Sequence, residues 1–166
     1  MSGMSKTGPA RISLSELLSP GGINLNLQSA QRDDVLGELV NLIQEVAAQP
    51  EARQTLLHAL REREQLHSTG IGDGVALPHA RNALVGLVNH PVVVFGRHNQ
   101  GIPYGAIDGA PARLFFLLIA PTVTEHLAIL ARLSRMLREP KLRKNLLATE
   151  TPQKVLELIR EAEGKM

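Results

Sequence analysis

The chain of 166 residues has no cysteine and no tryptophan, and only one tyrosine and three phenylalanines. The missing thiols rule out disulfides, thiolate metal sites and a cysteine nucleophile, so any thiol chemistry has to come from a partner; a reducing compartment is compatible with this composition. The scarcity of aromatics removes the base-stacking platform of single-strand nucleic-acid binders. An excess of one charge is missing as well. Eighteen Lys and Arg stand against 16 Asp and Glu, a formal net charge of +2, and the basic residues are scattered among the acids without forming a run. Both observations argue against nucleic acid as a ligand. The longest purely apolar run, Leu114 to Ala120, is far too short to cross a bilayer, and the N-terminal MSGMSKTGPAR lacks the apolar core of a signal peptide. The sequence therefore reads as a soluble cytoplasmic protein without membrane insertion.

The length suits one compact domain with a proper core. Residues 1–10 are small and polar and read as a disordered tail, leaving 11–164 as the folded unit. Ile23, Leu25 and Leu27 alternate with Asn24 and Asn26 behind the turn signal Pro20-Gly21-Gly22, which predicts a half-buried strand. From about Asp33 the period becomes helical, with Leu36, Leu39, Val40, Ile43 and Ala47 on one helix that stops before Pro50. A second helix starts at Pro50 and carries Leu56, Leu57 and Leu60 before the charged REREQ. The short apolar segments Val92 to Phe95 and Leu114 to Ala120 predict strands buried on both faces, with Val75 to Leu77 a shorter candidate. After Pro121, Thr122 and Glu125 fit a capping box; the apolar stripe behind it is either Leu127, Leu130, Ala131, Ser134 and Leu137 or the neighbouring Ile129, Leu133 and Met136. A shorter helix over 141–148 follows, and a last one from Thr151 and Pro152 buries Val155, Leu158 and Ile159. Strands and helices interleaved in this way predict an α/β domain, a central sheet covered by helices on both faces.

The stretch STGIGDGVALPHAR, Ser68 to Arg81, holds the most suggestive chemistry. Its glycines at 70, 72 and 74 do not have dinucleotide-fingerprint spacing, and no GK[ST] follows to grip a triphosphate. They fit a loop that needs positive backbone dihedrals, or one whose N–H groups converge on an anion. Pro78 fixes its own φ and pushes Leu77 into the extended region, so the chain reaches His79 with few conformations open to it. That rigidity suits a positioned nucleophile, since a neutral imidazole keeps a lone pair on one nitrogen while the other carries the proton; the plain alternative is a hydrogen-bonded structural histidine. His126 falls in the first turn of the helix capped near Thr122, where the dipole disfavours imidazolium and favours an anion; its plain alternative is a histidine packed among leucines. Arg63 could offer a planar fork of donors to phosphate oxygens or could be a solvated helix-face charge. His58, His67, His90 and His98 have no metal-ligand spacing, and Ser68 and Ser134 have no nucleophile-elbow context.

Taken together, LREREQLHSTGIGDGVALPHAR, YGAIDGAPARLFFLLIAP and EHLAILARLSRML resemble the mannitol/fructose-type (type 2) enzyme IIA domains of the bacterial phosphoenolpyruvate-dependent phosphotransferase system, nearest to the nitrogen-regulatory branch. The resemblance covers nearly the whole chain. It implies a single α/β domain with a central mixed sheet flanked by helices on both faces, and a phosphotransferase that carries a phosphohistidine intermediate without metal or cofactor. The histidine of the PH pair, His79, would accept the phosphoryl group on Nε2 from an HPr-type phosphocarrier, with His126 and Arg63 in support; Thr69 and Gly74 of the glycine-rich loop would line the phosphoryl pocket. The onward partner would be a cysteine on an enzyme IIB or a regulatory protein target. Many nitrogen-type members have glycine and lysine after the PH pair, where this chain has Ala80 and Arg81, and the segment GRHNQGIPYGAIDG is its own; both differences bear on partner choice. The absence of a fused carrier, transporter or DNA-binding segment points to a free-standing regulatory relay. The competing expectation is a non-catalytic interaction module that binds a kinase, transporter or transcription regulator in a phosphorylation-dependent way.

Overall fold

The computed structural model describes residues 12–81 and 86–166; the tail expected at 1–10 lies outside them. Five strands, β1 (Ile23–Asn24), β2 (Gly70–Gly72), β3 (Val75–Ala76), β4 (Val92–Ile102) and β5 (Ala112–Ile119), form one mixed sheet in the order β1-β4-β5-β3-β2. The long β4–β5 pair is antiparallel, β1 runs parallel to β4, β3 parallel to β5, and β2 antiparallel to β3. The helices are α1 (Leu14–Leu17), α2 (Arg32–Val40), α3 (Gln44–Ala47), α4 (Pro50–Leu66), α5 (Val123–Met136), α6 (Pro140–Ala148) and α7 (Pro152–Gly164).

The run from Leu114 to Ile119 has no polar position because both faces of β5 are covered. Leu114, Phe116 and Leu118 point with Val93 and Phe95 to the layer of α1, α5, α6 and α7. Phe115, Leu117 and Ile119 point with Val94 to the layer of α2, α3 and α4. Full burial of each such side chain stabilises the fold by roughly 1.5–3 kcal/mol. Gly96 lets the second layer approach closely, since a Cβ there would lie 2.6 Å from Leu39 and 2.7 Å from Leu27.

The expected single α/β domain is the observed one, and its departures have local causes. The alternation at Ile23, Leu25 and Leu27 holds, all three being buried, but only Ile23–Asn24 pairs as a strand. Asn24 Oδ1 accepts from Asn26 N–H at 2.9 Å and bends the chain, and Leu27 N–H rejoins the sheet on the Arg97 carbonyl at 2.9 Å. The helix expected from Asp33 to Pro50 is two, α2 and α3. The break puts Ile43 in an extended conformation with its side chain fully in the core, and the Asn41 side chain accepts from Arg53 Nε at 2.8 Å. Strand β4 runs on from Phe95 through Arg97, His98 and Asn99 to Ile102, a stretch expected to be a connection. Arg97 is buried there because Nη1 donates to the Leu146 carbonyl at 3.1 Å and the Thr149 carbonyl at 2.5 Å, where the α6 dipole favours a cation. On α5 the buried stripe is Ile129, Leu133 and Met136, with Leu127 exposed.

Candidate functional site

Because β3 and β5 are neighbours and parallel, the segments that leave their C-terminal ends emerge at the same end of the sheet, the usual place for a site in α/β folds. The first leads to His79. Leu77 N–H donates to the Thr69 carbonyl at 3.0 Å, and the Pro78 carbonyl accepts from Leu118 N–H at 3.2 Å, so the chain is held extended up to the histidine. The His79 ring is half-buried, and its Nδ1 lies 2.6 Å from the Leu77 carbonyl oxygen. A carbonyl only accepts, so Nδ1 carries the proton and Nε2 the lone pair. Burial lowers the His79 pKa from the ordinary imidazole value; the Leu77 bond opposes this in part, and the charge of Arg63 adds to the lowering.

The second segment passes Pro121 and enters α5. Thr122 caps it, its hydroxyl oxygen accepting from Glu125 N–H at 3.2 Å while the hydroxyl donates to Glu125 Oε1 at 2.8 Å. His126 follows in the first turn, its N–H on the Thr122 carbonyl at 3.0 Å, and only 6 % exposed. Its ring meets that of His79 edge-on, with centroids 5.4 Å apart at an interplanar angle of 61°. Burial lowers the His126 pKa, and His79 lowers it further. Two neutral imidazoles thus face each other beside a helix N-terminus, an arrangement suited to hold an anion.

Arg63 comes from the last turn of α4, on the opposite helical layer. It lines a cleft of about 490 Å³ with Leu66, Ala80 and Arg81, so the cleft opens along the two residues that follow His79. Its Nη1 donates to the His67 carbonyl at 2.5 Å. His79 and His126 are therefore in ring contact, while Arg63 lines the cleft beside the residues that follow His79 and acts on its ring through charge.

Thr69 and Gly74 have other partners. Thr69 is 4 % exposed and its hydroxyl donates to the carboxylate of Glu64, inside the protein. Gly74 sits at the start of β3, the opposite end of the strand from His79, and its carbonyl accepts from Arg113 N–H at 2.8 Å and Leu114 N–H at 3.0 Å. The glycine-rich turn does receive an anion, but one belonging to the protein. Asp73 N–H donates to Asp108 Oδ2 at 2.8 Å, and a Cβ at Gly72, whose φ is +91°, would lie 3.0 Å from that same oxygen. The residues that sequence reasoning passed over are Glu64 and Tyr104, whose hydroxyl donates to Glu64 at 2.8 Å. Glu64 stands in register with Leu57 and Leu60 on the buried stripe of α4, and that register is the signal that could have found it. Among the described residues no three His, Asp or Glu side chains gather as a metal site, and no helix is long and apolar enough to cross a membrane.

A family model described as "Phosphoenolpyruvate-dependent sugar phosphotransferase system, EIIA 2" matches residues 16–162. The chain belongs to this family, the phosphotransfer EIIA components of type 2. Among curated relatives it is 37% identical over 148 residues to the PTS system fructose-specific EIIABC component of Bacillus subtilis, covering 88% of this chain but only 23% of that protein's length. It is 31% identical over 150 residues to the nitrogen regulatory protein of Pseudomonas aeruginosa, covering 89% of this chain and 95% of the relative. Among solved structures, nitrogen regulatory protein IIA-Ntr from Neisseria meningitidis superposes with a TM-score of 0.77 at 28% identity, covering 87% of this chain and 97% of that one. Enzyme IIA-mannitol of Escherichia coli, solved in complex with phosphorylated enzyme IIB-mannitol, gives a TM-score of 0.71 at 25% identity, covering 87% and 99%.

Proposed function

We propose that the chain accepts a phosphoryl group on Nε2 of His79 from the phosphohistidine of an HPr-type carrier and passes it on. The observation that carries this reading is the hydrogen bond from His79 Nδ1 to the Leu77 carbonyl, which leaves Nε2 unprotonated on a half-buried ring. In the transfer, the Nε2 lone pair forms the new P–N bond as the donor's P–N bond breaks. The bonding pair stays on the donor nitrogen, each ring keeps the proton on its other nitrogen, and no proton has to move. One phosphoramidate is exchanged for another, so the protein's work is positioning and stabilising charge on the equatorial oxygens. Arg63 supplies a cation and a fork of donors, and His126, held neutral, supplies an N–H from the other side. The onward acceptor is a thiol of an enzyme IIB, as the known pairing of the mannitol relative suggests, and this chain has no cysteine of its own. Incubation with phosphoenolpyruvate, enzyme I and HPr adds one acid-labile phosphoryl group at His79 on this reading; a chain that stays unlabelled, or a His79→Ala variant that labels normally, contradicts it.

The same surface supports a regulatory use, because exposed Leu66 adjoins Arg63 and exposed Val123 and Leu127 flank His126. A partner docked on these side chains senses whether His79 bears a dianion. His79→Ala separates the uses: a simple binding module keeps its effect on the partner, and a relay loses it.

A further inference from the structure

Glu64 follows Arg63 in α4 but points the other way, into the protein, and is only 4 % exposed. A carboxylate taken out of water is costly unless its oxygens are satisfied. Oε1 accepts from Thr69 N–H at 2.9 Å, and Oε2 accepts from the hydroxyls of Thr69 and Tyr104, the latter at 2.8 Å. None of the ion pairs among the described residues involves Glu64. Its donors are all neutral. Tyr104 is 3 % exposed with its ring edge-on to Phe115, so the group it anchors is tied to the sheet.

Two connections run from this carboxylate to the site. The first goes through the chain between α4 and β2: Glu64 fixes Thr69, and two residues back the His67 carbonyl accepts from the Arg63 guanidinium. The second, through the sheet, does not rest on Glu64 alone. The carbonyl of the same Thr69 accepts from Leu77 N–H, and the Leu77 carbonyl accepts from His79 Nδ1, but this strand is anchored on its other side by β5, where Leu118 N–H donates to the Pro78 carbonyl at 3.2 Å. His79 thus keeps its own support, and what depends on the buried carboxylate is the peptide segment that steers Arg63.

We propose that Glu64 is a positioning residue that sets the Arg63 guanidinium relative to His79 Nε2 for phosphoryl transfer, a role that rests on the transfer reading above. The carboxylate acts through Arg63, so its effect on the reaction should exist only while Arg63 is present.

The test is a double-mutant cycle on the rate of label transfer from phospho-HPr, measured by rapid quench over a range of carrier concentrations, for the native chain, Glu64→Gln, Arg63→Ala and the double variant. Glu64→Gln keeps the shape and replaces one acceptor oxygen with an amide. It is expected to lower the limiting transfer rate by at least about tenfold while the half-saturating carrier concentration changes by less than about twofold, and to have almost no effect in the Arg63→Ala background. An equal loss in both backgrounds, or no loss in either, overturns the proposal. Tyr104→Phe removes one of the three donors and keeps the ring packing; its expected loss is smaller and likewise absent without Arg63, and it decides the matter if Glu64→Gln does not fold. If the native chain is never labelled at His79, this role falls together with the transfer reading. If the native chain is labelled and Glu64→Gln matches its rate, only this role falls.

Discussion

Leu77 and His79 are joined by a hydrogen bond that spans Pro78, carbonyl oxygen to Nδ1 at 2.6 Å. A strand end and a proline together leave the imidazole one tautomer and one direction, so the nitrogen that keeps its lone pair is chosen by the backbone.

This predicts the pH dependence of phosphoryl acceptance. Burial first, and the Arg63 charge, bring the His79 pKa below the ordinary value near 6.5, against the opposing Leu77 bond. The rate should therefore stay level as pH falls past 6.5 and drop only at lower pH, as Nε2 is protonated. Stability follows the same sign: the unfolded chain takes up protons near 6.5 before the native ring does, so the contributions of His79 and His126 are present above that pH and are lost as pH falls towards the native pKa values. Initial rates of labelling and denaturant midpoints across pH 4–8 check both statements.

Arg63→Ala should reduce the limiting transfer rate by about 10²–10³-fold, the usual effect of removing one donor from a developing charge. Arg63→Lys should recover part of this, since it restores the charge without the planar fork. In both variants the His79 chemical shift titration reports the electrostatic change, moving to higher pH for alanine and staying near native for lysine.

The two rings are coupled, so His79→Gln should raise the His126 pKa towards its ordinary value without restoring it fully, because burial is the larger cause of its lowering. Proton NMR titration of the His126 ring reads this directly. An unchanged His126 titration would mean that the rings do not sense one another.

Gly96→Ala should destabilise the fold by about 1–3 kcal/mol, because the new methyl meets Leu39 and Leu27 well inside contact distance and the α2 layer has to move. Urea unfolding gives the value. Labelling of His79 in the folded fraction should be close to native, since neither leucine touches the site.

The sequence was informative wherever one residue type has one physical use. The unbroken apolar run at 114–119 is short enough for a doubly covered strand, Thr122 and Thr151 sit where a hydroxyl caps a helix, and Pro78 restricts the chain that reaches His79. It was uninformative where tertiary contacts choose. The polar half of β4 has no alternation because Arg97 is drawn inwards by carbonyls of α6, some fifty residues away in the chain. The split between α2 and α3 depends on the Arg53 side chain reaching back to Asn41. Thr69 and Gly74 belong to the right loop, yet spacing alone does not tell which way a hydroxyl turns or which end of a two-residue strand a glycine occupies. Glu64 escaped notice because three charged neighbours hide its place on the leucine stripe.

His79 leaves the C-terminal end of β3, inside the sheet, its ring partner descends from the helices on one face and Arg63 from the helices on the other. Neither half of this sandwich contains a working fragment of the site. On the transfer reading, labelling of His79 is therefore an assay of complete assembly: a chain nicked between β5 and α5 should be inert as separate pieces and regain acceptance only when α5–α7 dock again on the sheet.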